Sequence, residues 1–375
     1  MYIKYGDVDF FRLGPAWHHR ARVDRRVSAT KLLSEKKLKQ NQIIDPKYIL
    51  DFFDKLKKGT ILIDEKTCSL YLEKVIEKKL KITKKEDPIY ILKSIKNNIE
   101  IKNMIKAHVM DGVALTKFIY WIKNLKKLNI TEVDAQNKLE KIRRTNSKYL
   151  FPSFNTIAGS GKNGAIVHYR ATKNNTKLLK RNEIFLCDSG GQYKFGTTDV
   201  TRTICFENQN KDIKNIFTNV LKGHIAVAQT DLNKKKTGKL IDKDARKFLK
   251  KDRLDYNHGT GHGVGFFLNV HEGPQAISKS NSIKIQKGMI LSNEPGYYKK
   301  DKFGIRIENL IYVKKIGGKL GFENLTLAPI EKMLINFDLL TKQEKNYLFN
   351  YHLKVYSKIS PFLNRNEKKW LATFI

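Results

Sequence analysis

The stretch from residue 188 to residue 308 constrains this chain most. Within it Asp188, Asp199, His262, Glu294 and Glu308 each stand beside glycine or in a short apolar run. Short apolar runs bounded by Gly or Pro read as buried strands, so four carboxylates and an imidazole are set at interior strand ends. An ionised carboxylate taken out of water is costly unless it is paired or binds a metal. The run 183–187 predicts a strand ending at Asp188. In 198–206, Asp199, Thr201, Thr203 and Cys205 alternate with Val200, Arg202, Ile204 and Phe206. A short turn between the two predicts a hairpin with Asp188 beside Asp199, where like charges demand a cation.

Downstream, 289–293 predicts a strand that delivers Glu294. In 304–312, Ile305, Ile307 and Ile311 face one way, and Arg306, Glu308 and Leu310 the other. Arg306 and Glu308 on an inner face are costly unless paired or metal-bound. The run HGTGHGVG at 258–265 spaces two histidines as in the helical zinc motif. Its glycines and the missing Glu after His258 argue against a helix and predict an irregular loop that approaches a ligand closely. Glycines 159, 161 and 164 lack phosphate-loop spacing, and AIVHY at 165–169 reads as a strand carrying His168.

Four carboxylates and one imidazole match two divalent cations. Hard oxygen donors favour Mn²⁺, with Co²⁺, Fe²⁺ and Zn²⁺ next, and the histidine disfavours Ca²⁺. Two ions about 3.5–4 Å apart activate a shared hydroxide. His168, His258 and His271 remain as donors to a developing oxyanion.

The rest of the chain reads as scaffold for that cluster. At 375 residues and 41% hydrophobic, the chain builds one large domain or two ordinary ones. No apolar run reaches 18 residues, and the first 25 residues contain no signal-peptide core, so neither a membrane span nor a leader is expected. Cys68, Cys187 and Cys205 form no CxxC pair, which predicts buried thiols and a reducing, cytoplasmic setting. The net charge of +36 points to weak, salt-sensitive polyanion binding, although the lysines are dispersed and read as solvated surface. Helices are expected over 43–53, 70–80, 213–228, 241–249 and 339–363, and a strand over 60–64. A long helix begins at residue 98, with Ile101, Ile105, Val109 and Val113 as its apolar repeat followed by Phe118, Ile122 and Leu125, and a second is capped by Thr131. His18 and His19 read as surface residues, His108 as structural, and His352 as surface or packing.

Six motifs carry a family resemblance: GAIVHY at 164–169, DSG at 188–190 with GTTDVTRT at 196–203, HGTGHGVG at 258–265, NVHEGP at 269–274, EPGYY at 294–298 and GIRIEN at 304–309. Together they resemble the aminopeptidase P (Xaa-Pro aminopeptidase) branch of the pita-bread metallopeptidases, from about residue 87 to the C-terminus. The resemblance implies an α/β (α+β) fold with a partial creatinase-like N-terminal domain at 1–85, a pita-bread catalytic domain at 86–325 and a helical C-terminal tail at 326–375. It implies a dinuclear manganese site in which Asp188 and Asp199 bind one ion and Asp199 and Glu308 bridge to the second. His262 and Glu294 complete the second ion's ligand set, and Glu294 handles the proton of the bridging hydroxide. His258 is then a proton shuttle, His168 and His271 hold the substrate, and Arg306 orients the acids.

The implied reaction releases the first residue from peptides with proline second, whose tertiary amide lacks an N–H. A homodimer is implied as well. The alternatives are a dipeptidase cutting Xaa-Pro (a prolidase) and a non-catalytic basic pita-bread protein binding nucleic acid or protein. Larger members of the branch carry two creatinase-like domains before the catalytic one. Here about 85 residues precede it and resemble the closing part of the second, so this chain is expected to be a shortened form with apolar surface uncovered near 60–80.

Overall fold

The computed structural model describes residues 2–5, 8–11, 46–56, 59–267 and 269–375. His18 and His19 lie outside them. The chain divides into two compact units, Met1–Tyr90 and Ile91–Ile375.

In the first unit, Tyr2–Tyr5 and Val8–Phe11 pair antiparallel. Thr60–Ile63 and Lys81–Lys84 pair in parallel and are joined through the helix Leu70–Glu77. Parallel neighbours need such a crossover. Ser69 caps this helix by accepting from Leu72 N at 3.3 Å. Pro46–Tyr48 forms a 3₁₀ turn that leads into the helix Ile49–Lys55. Phe53, Ile61, Ile63, Ile76 and Leu80 make the core of this unit. Leu70 and Tyr71 are 66% and 62% exposed.

The second unit opens with the helix Asn98–Lys123, capped reciprocally by Asn97 and Glu100. Its buried seam includes the expected Phe118 and Ile122 but differs from the expected repeat of four over its first half. Met104, Ala107, His108, Asp111, Leu115, Phe118 and Ile122 face inward, whereas Ile105 is 40% exposed. A repeat of four drifts about 40° per step around a 3.6-residue helix, so it cannot stay on one face. His108 is buried with Nδ1 at 2.7 Å from Met104 O, and is structural as expected. Glu132–Arg144 follows, with Thr131 in a capping box. The helices Lys211–Ala228 and Gly238–Lys251 bury their apolar sides through Phe217, Val220, Leu221 and Ile241, Ala245, Leu249.

One sheet has five antiparallel strands in the order Glu272–Ile277, Gly261–Gly263, Ile290–Asn293, Asn309–Ile316, Lys319–Asn324. A three-stranded sheet places Phe185–Ser189 between Val200–Ile204 and Ile157–Ser160. Another joins Tyr149–Pro152, Gly191–Tyr193 and Gly196–Thr197.

Four strand expectations are corrected. Phe185–Ser189 and Val200–Ile204 do pair, with Thr201 opposite Asp188, but not through a simple turn. The intervening residues make their own hairpin in a separate sheet. Residues 165–169 are not a strand: Gly161–Ala165 is a 3₁₀ turn, and Tyr169 N closes a further turn onto Ile166 O at 3.0 Å. Residues 304–312 are two strands in different sheets. They break at Ile307 and Glu308, whose N–H groups donate to Pro295 O and Thr201 O at 3.3 and 3.1 Å. Residues 261–263 form a strand where a loop was expected. A Cβ on Gly261 would lie 2.0 Å from Ser292 O, and one on Gly263 2.1 Å from Glu272 O. Those two glycines admit the neighbouring strands.

The tail is helical over Lys342–Ile359 and Arg365–Ala372. His352 packs inside it, where its Nε2 accepts from Ile330 N at 3.1 Å. Cys187 and Cys205 are buried free thiols as expected, and Cys68 is half-buried.

Candidate active site

Strand ends bring the four expected acids and the imidazole to one place. Asp188 lies on Phe185–Ser189, Asp199 immediately precedes Val200–Ile204, and His262 is the middle residue of Gly261–Gly263. Glu294 directly follows Ile290–Asn293, and Glu308 occupies the break between Phe303–Arg306 and Asn309–Ile316. His262 Nε2 is 3.4 Å from both Asp199 Oδ2 and Glu294 Oε1. One donor atom from each of Asp199, His262 and Glu308 falls within 4.8 Å of the others.

Hydroxyls and one guanidinium hold this cluster. Thr201 Oγ1 donates to Glu308 Oε2 at 2.7 Å, and Ser292 Oγ donates to Glu294 Oε1 at 3.0 Å while accepting from His262 N at 2.9 Å. Arg306 sends Nη2 to Asp188 Oδ2 and Nη1 to the Tyr298 hydroxyl, both at 2.6 Å, and Nε to Thr201 Oγ1 at 3.1 Å. The Tyr298 hydroxyl reaches His258 Nε2 at 2.9 Å. A proton on His262 Nδ1 donates to Gly263 O at 2.9 Å and leaves the Nε2 lone pair toward the carboxylates, as a metal-binding imidazole requires.

Positive charge in the site falls short of the acids it faces. Burial, then Asp188 and Glu294, raises the Asp199 carboxyl well above its ordinary range. Glu308 is raised likewise by burial and by Asp199, Glu294 and Asp188. Glu294 is also raised, burial being the first cause. Burial works against the Arg306 charge, but Tyr298, Asp188, Glu294 and Glu308 outweigh it. Asp188 Oδ1 and Asp199 Oδ1 are buried without a hydrogen-bond donor among the described residues. Orphaned carboxylate oxygens beside an imidazole lone pair fit divalent cations, which supply both missing partners and missing charge.

The outer histidines surround this cluster. His258 is pushed down to about 3, first by burial and then by Arg306, with a further contribution from His168. His168 is exposed, on the turn after Gly161–Ala165, and His271 is exposed with its ring 4.1 Å from that of His262. The backbone before His168 presses against the strand carrying Arg306. A Cβ on Gly304 would lie 1.8 Å from Gly164 O.

Sequence reasoning omitted Tyr298, Thr201 and Ser292 from the site. Two signals were available: Tyr298 closes the EPGYY motif, and Thr201 shares a strand face with Asp199.

The model of "Metallopeptidase family M24" matches residues 102–315, more than half of the chain, and "C-terminal region of peptidase_M24" matches 318–373. A Laccaria bicolor protein named probable Xaa-Pro aminopeptidase P is 44% identical over 297 residues, 75% of this chain and 46% of that protein. The crystal structure of X-prolyl aminopeptidase from Caenorhabditis elegans, described as a cytosolic enzyme with a di-nuclear active site, is 35% identical with a TM-score of 0.74. That match covers 80% of this chain and 51% of the other. Prolidase from Pyrococcus furiosus is 26% identical with a TM-score of 0.67, covering 80% and 85% of the two chains. The chain spans about half the length of the curated relatives it matches.

Proposed function

We propose, from the premise that this chain belongs to metallopeptidase family M24, that it releases the N-terminal residue from peptides whose second residue is proline. Its mixed α/β architecture is the pita-bread fold expected from the motifs. The observation that carries the proposal is the convergence of Asp188, Asp199, His262, Glu294 and Glu308 with two orphaned carboxylate oxygens.

These five residues would hold two divalent ions, Mn²⁺ by preference. Bound there, such ions neutralise the acids and make water nucleophilic at neutral pH. Glu294 takes the proton of the attacking water as its oxygen bonds to the scissile carbonyl carbon. The C–N bond to proline then breaks, and the proton passes to the proline nitrogen. His258, neutral at working pH and bonded to Tyr298, relays protons beside this path. His168 and His271 hold the peptide on either side, and Arg306 fixes Asp188.

The domain proposal is a partial creatinase-like region at 1–85, the catalytic domain at 86–325 and the tail at 326–375. A homodimer and salt-sensitive polyanion association are proposed as partners. A cytoplasmic location is supported by the free thiols and the worm neighbour's description as cytosolic. No helix among the described residues is long and apolar enough to cross a membrane.

The prolidase reading draws on one observation: this chain covers more of the Pyrococcus furiosus enzyme than of the worm aminopeptidase. Purified protein with Mn²⁺, given an Xaa-Pro-Xaa tripeptide and an Xaa-Pro dipeptide, separates the two. Release of the first residue from the tripeptide is the expected result. Cleavage of the dipeptide alone would make the protein a prolidase, and cleavage of neither would leave the non-catalytic, polyanion-binding reading.

A further inference from the structure

We propose that the C-terminal helix Lys342–Ile359 holds Glu308 in register with the metal site through Tyr351 and Arg202, which makes both of them positioning residues. This rests on the reading of Glu308 as a metal ligand.

Arg202 is buried on the strand Val200–Ile204. Its Nε donates to Pro329 O at 2.9 Å. Nη1 donates to Thr201 O at 2.9 Å and Glu308 O at 2.6 Å. Nη2 donates to Asn309 Oδ1 at 2.8 Å, Ala328 O at 2.9 Å and the Tyr351 hydroxyl at 3.0 Å. Every one of these acceptors is neutral. Interior guanidinium groups are ordinarily matched by a carboxylate. This one instead spends its planar fork on the main chain at the seam between two sheets and on the tail.

The contacts meet on Glu308 from both ends. Arg202 grips the Glu308 carbonyl and the Thr201 carbonyl, while the Thr201 hydroxyl donates to the Glu308 carboxylate. Glu308 N returns to Thr201 O at 3.1 Å. The Tyr351 hydroxyl has a single proton, which goes to Ala328 O at 2.8 Å and leaves its lone pair for Arg202. Nη2 shares two protons among three acceptors. Without the Tyr351 hydroxyl they fall to Asn309 Oδ1 and to Ala328 O, which also loses the Tyr351 proton. The fork then reorients, and the Glu308 carbonyl held by Nη1 moves with it. In a cluster whose donor atoms lie within 4.8 Å of one another, such a shift alters cation affinity directly.

The test uses the full chain and Mn²⁺ titrated calorimetrically into metal-free protein, with kcat, KM and thermal denaturation measured in parallel. Tyr351→Phe keeps the ring and removes only the hydroxyl. It should weaken Mn²⁺ binding roughly tenfold, the lower end of what is lost when a ligand's supporting partner is removed. It should also lower kcat while leaving KM unchanged. Arg202→Lys, which keeps the charge but loses the fork, should weaken binding further. Lys354→Ala, on the same helix but bonded to Glu323, should bind Mn²⁺ normally even if it melts earlier. Wild-type Mn²⁺ affinity in Tyr351→Phe overturns the proposal whatever Arg202→Lys does, as does an equal loss in Lys354→Ala. Glu308→Gln separates the two levels: unchanged metal binding there removes the metal reading itself, whereas loss there with an intact Tyr351→Phe removes only the coupling.

Discussion

Consecutive residues on one strand lead to two opposite ways of burying a carboxylate. On one side, Ser189 Oγ accepts from Arg143 Nη2 at 3.1 Å, and Arg143 grips Asp111 at 2.8 and 3.2 Å while the Tyr193 hydroxyl donates to the same acid at 2.9 Å. Burial opposes the Arg143 charge, and Asp111 more than restores it. One acid meets one base, and both of its oxygens have donors. On the other side, Asp188 joins three further carboxylates that face Arg306, and orphaned oxygens remain. The balanced pair is scaffold, complete in itself. The unbalanced cluster is incomplete until something cationic arrives, and that imbalance separates a binding centre from a structural ion pair more sharply than burial does.

The contrast is most exposed to failure in Glu294→Gln. Turnover should fall about a thousandfold, within the range for losing a general base. Metal-free protein should melt no earlier than wild type, because one repelling charge is gone. A clear drop in its melting temperature would place Glu294 with the scaffold acids. Arg143→Met should do the reverse. It strands Asp111 and should lower unfolding free energy by about 3–5 kcal/mol in urea titration, while metal stoichiometry stays that of the wild type. Loss of metal without loss of stability would erase the distinction.

A smaller effect comes from histidines that lie outside both groups. His108 is lowered to about 4, and His224 and His352 to about 3, burial being the first cause in each. Below about pH 6.5 the unfolded chain takes up protons that the folded one refuses, so stability is full above that pH and declines as pH falls toward those values. Each contributes at most about 1.4 kcal/mol per pH unit. Urea midpoints at pH 7.0 and 5.5 should show the loss, and His108→Gln should reduce it. A flat profile would mean that these rings are already charged in the fold.

Local chemistry was legible in the sequence, and distant partnership was not. The Thr131 cap and the helices around 213–228 and 241–249 follow from patterns a few residues long, and the structure places helices there. The five metal-ligand candidates were visible because each ends a short apolar run. Asp111 was hidden because its partner lies 32 residues away, and Tyr351 because Arg202 lies 149 residues away. Residues 165–169 misled because Ile166 and Val167 are apolar without being strand. Tyr169 pulls the chain into a turn by donating its hydroxyl to buried Glu132 at 2.9 Å.

The contact between Gly164 and Gly304 has an engineering consequence. The turn bearing His168 and the strand bearing Arg306 meet backbone to backbone there, so their spacing is set by the main chain. Gly304→Ala would act as a wedge, driving its Cβ against the Gly164 carbonyl and, at 3.1 Å, against the Tyr298 ring that carries the hydroxyl shared by Arg306 and His258.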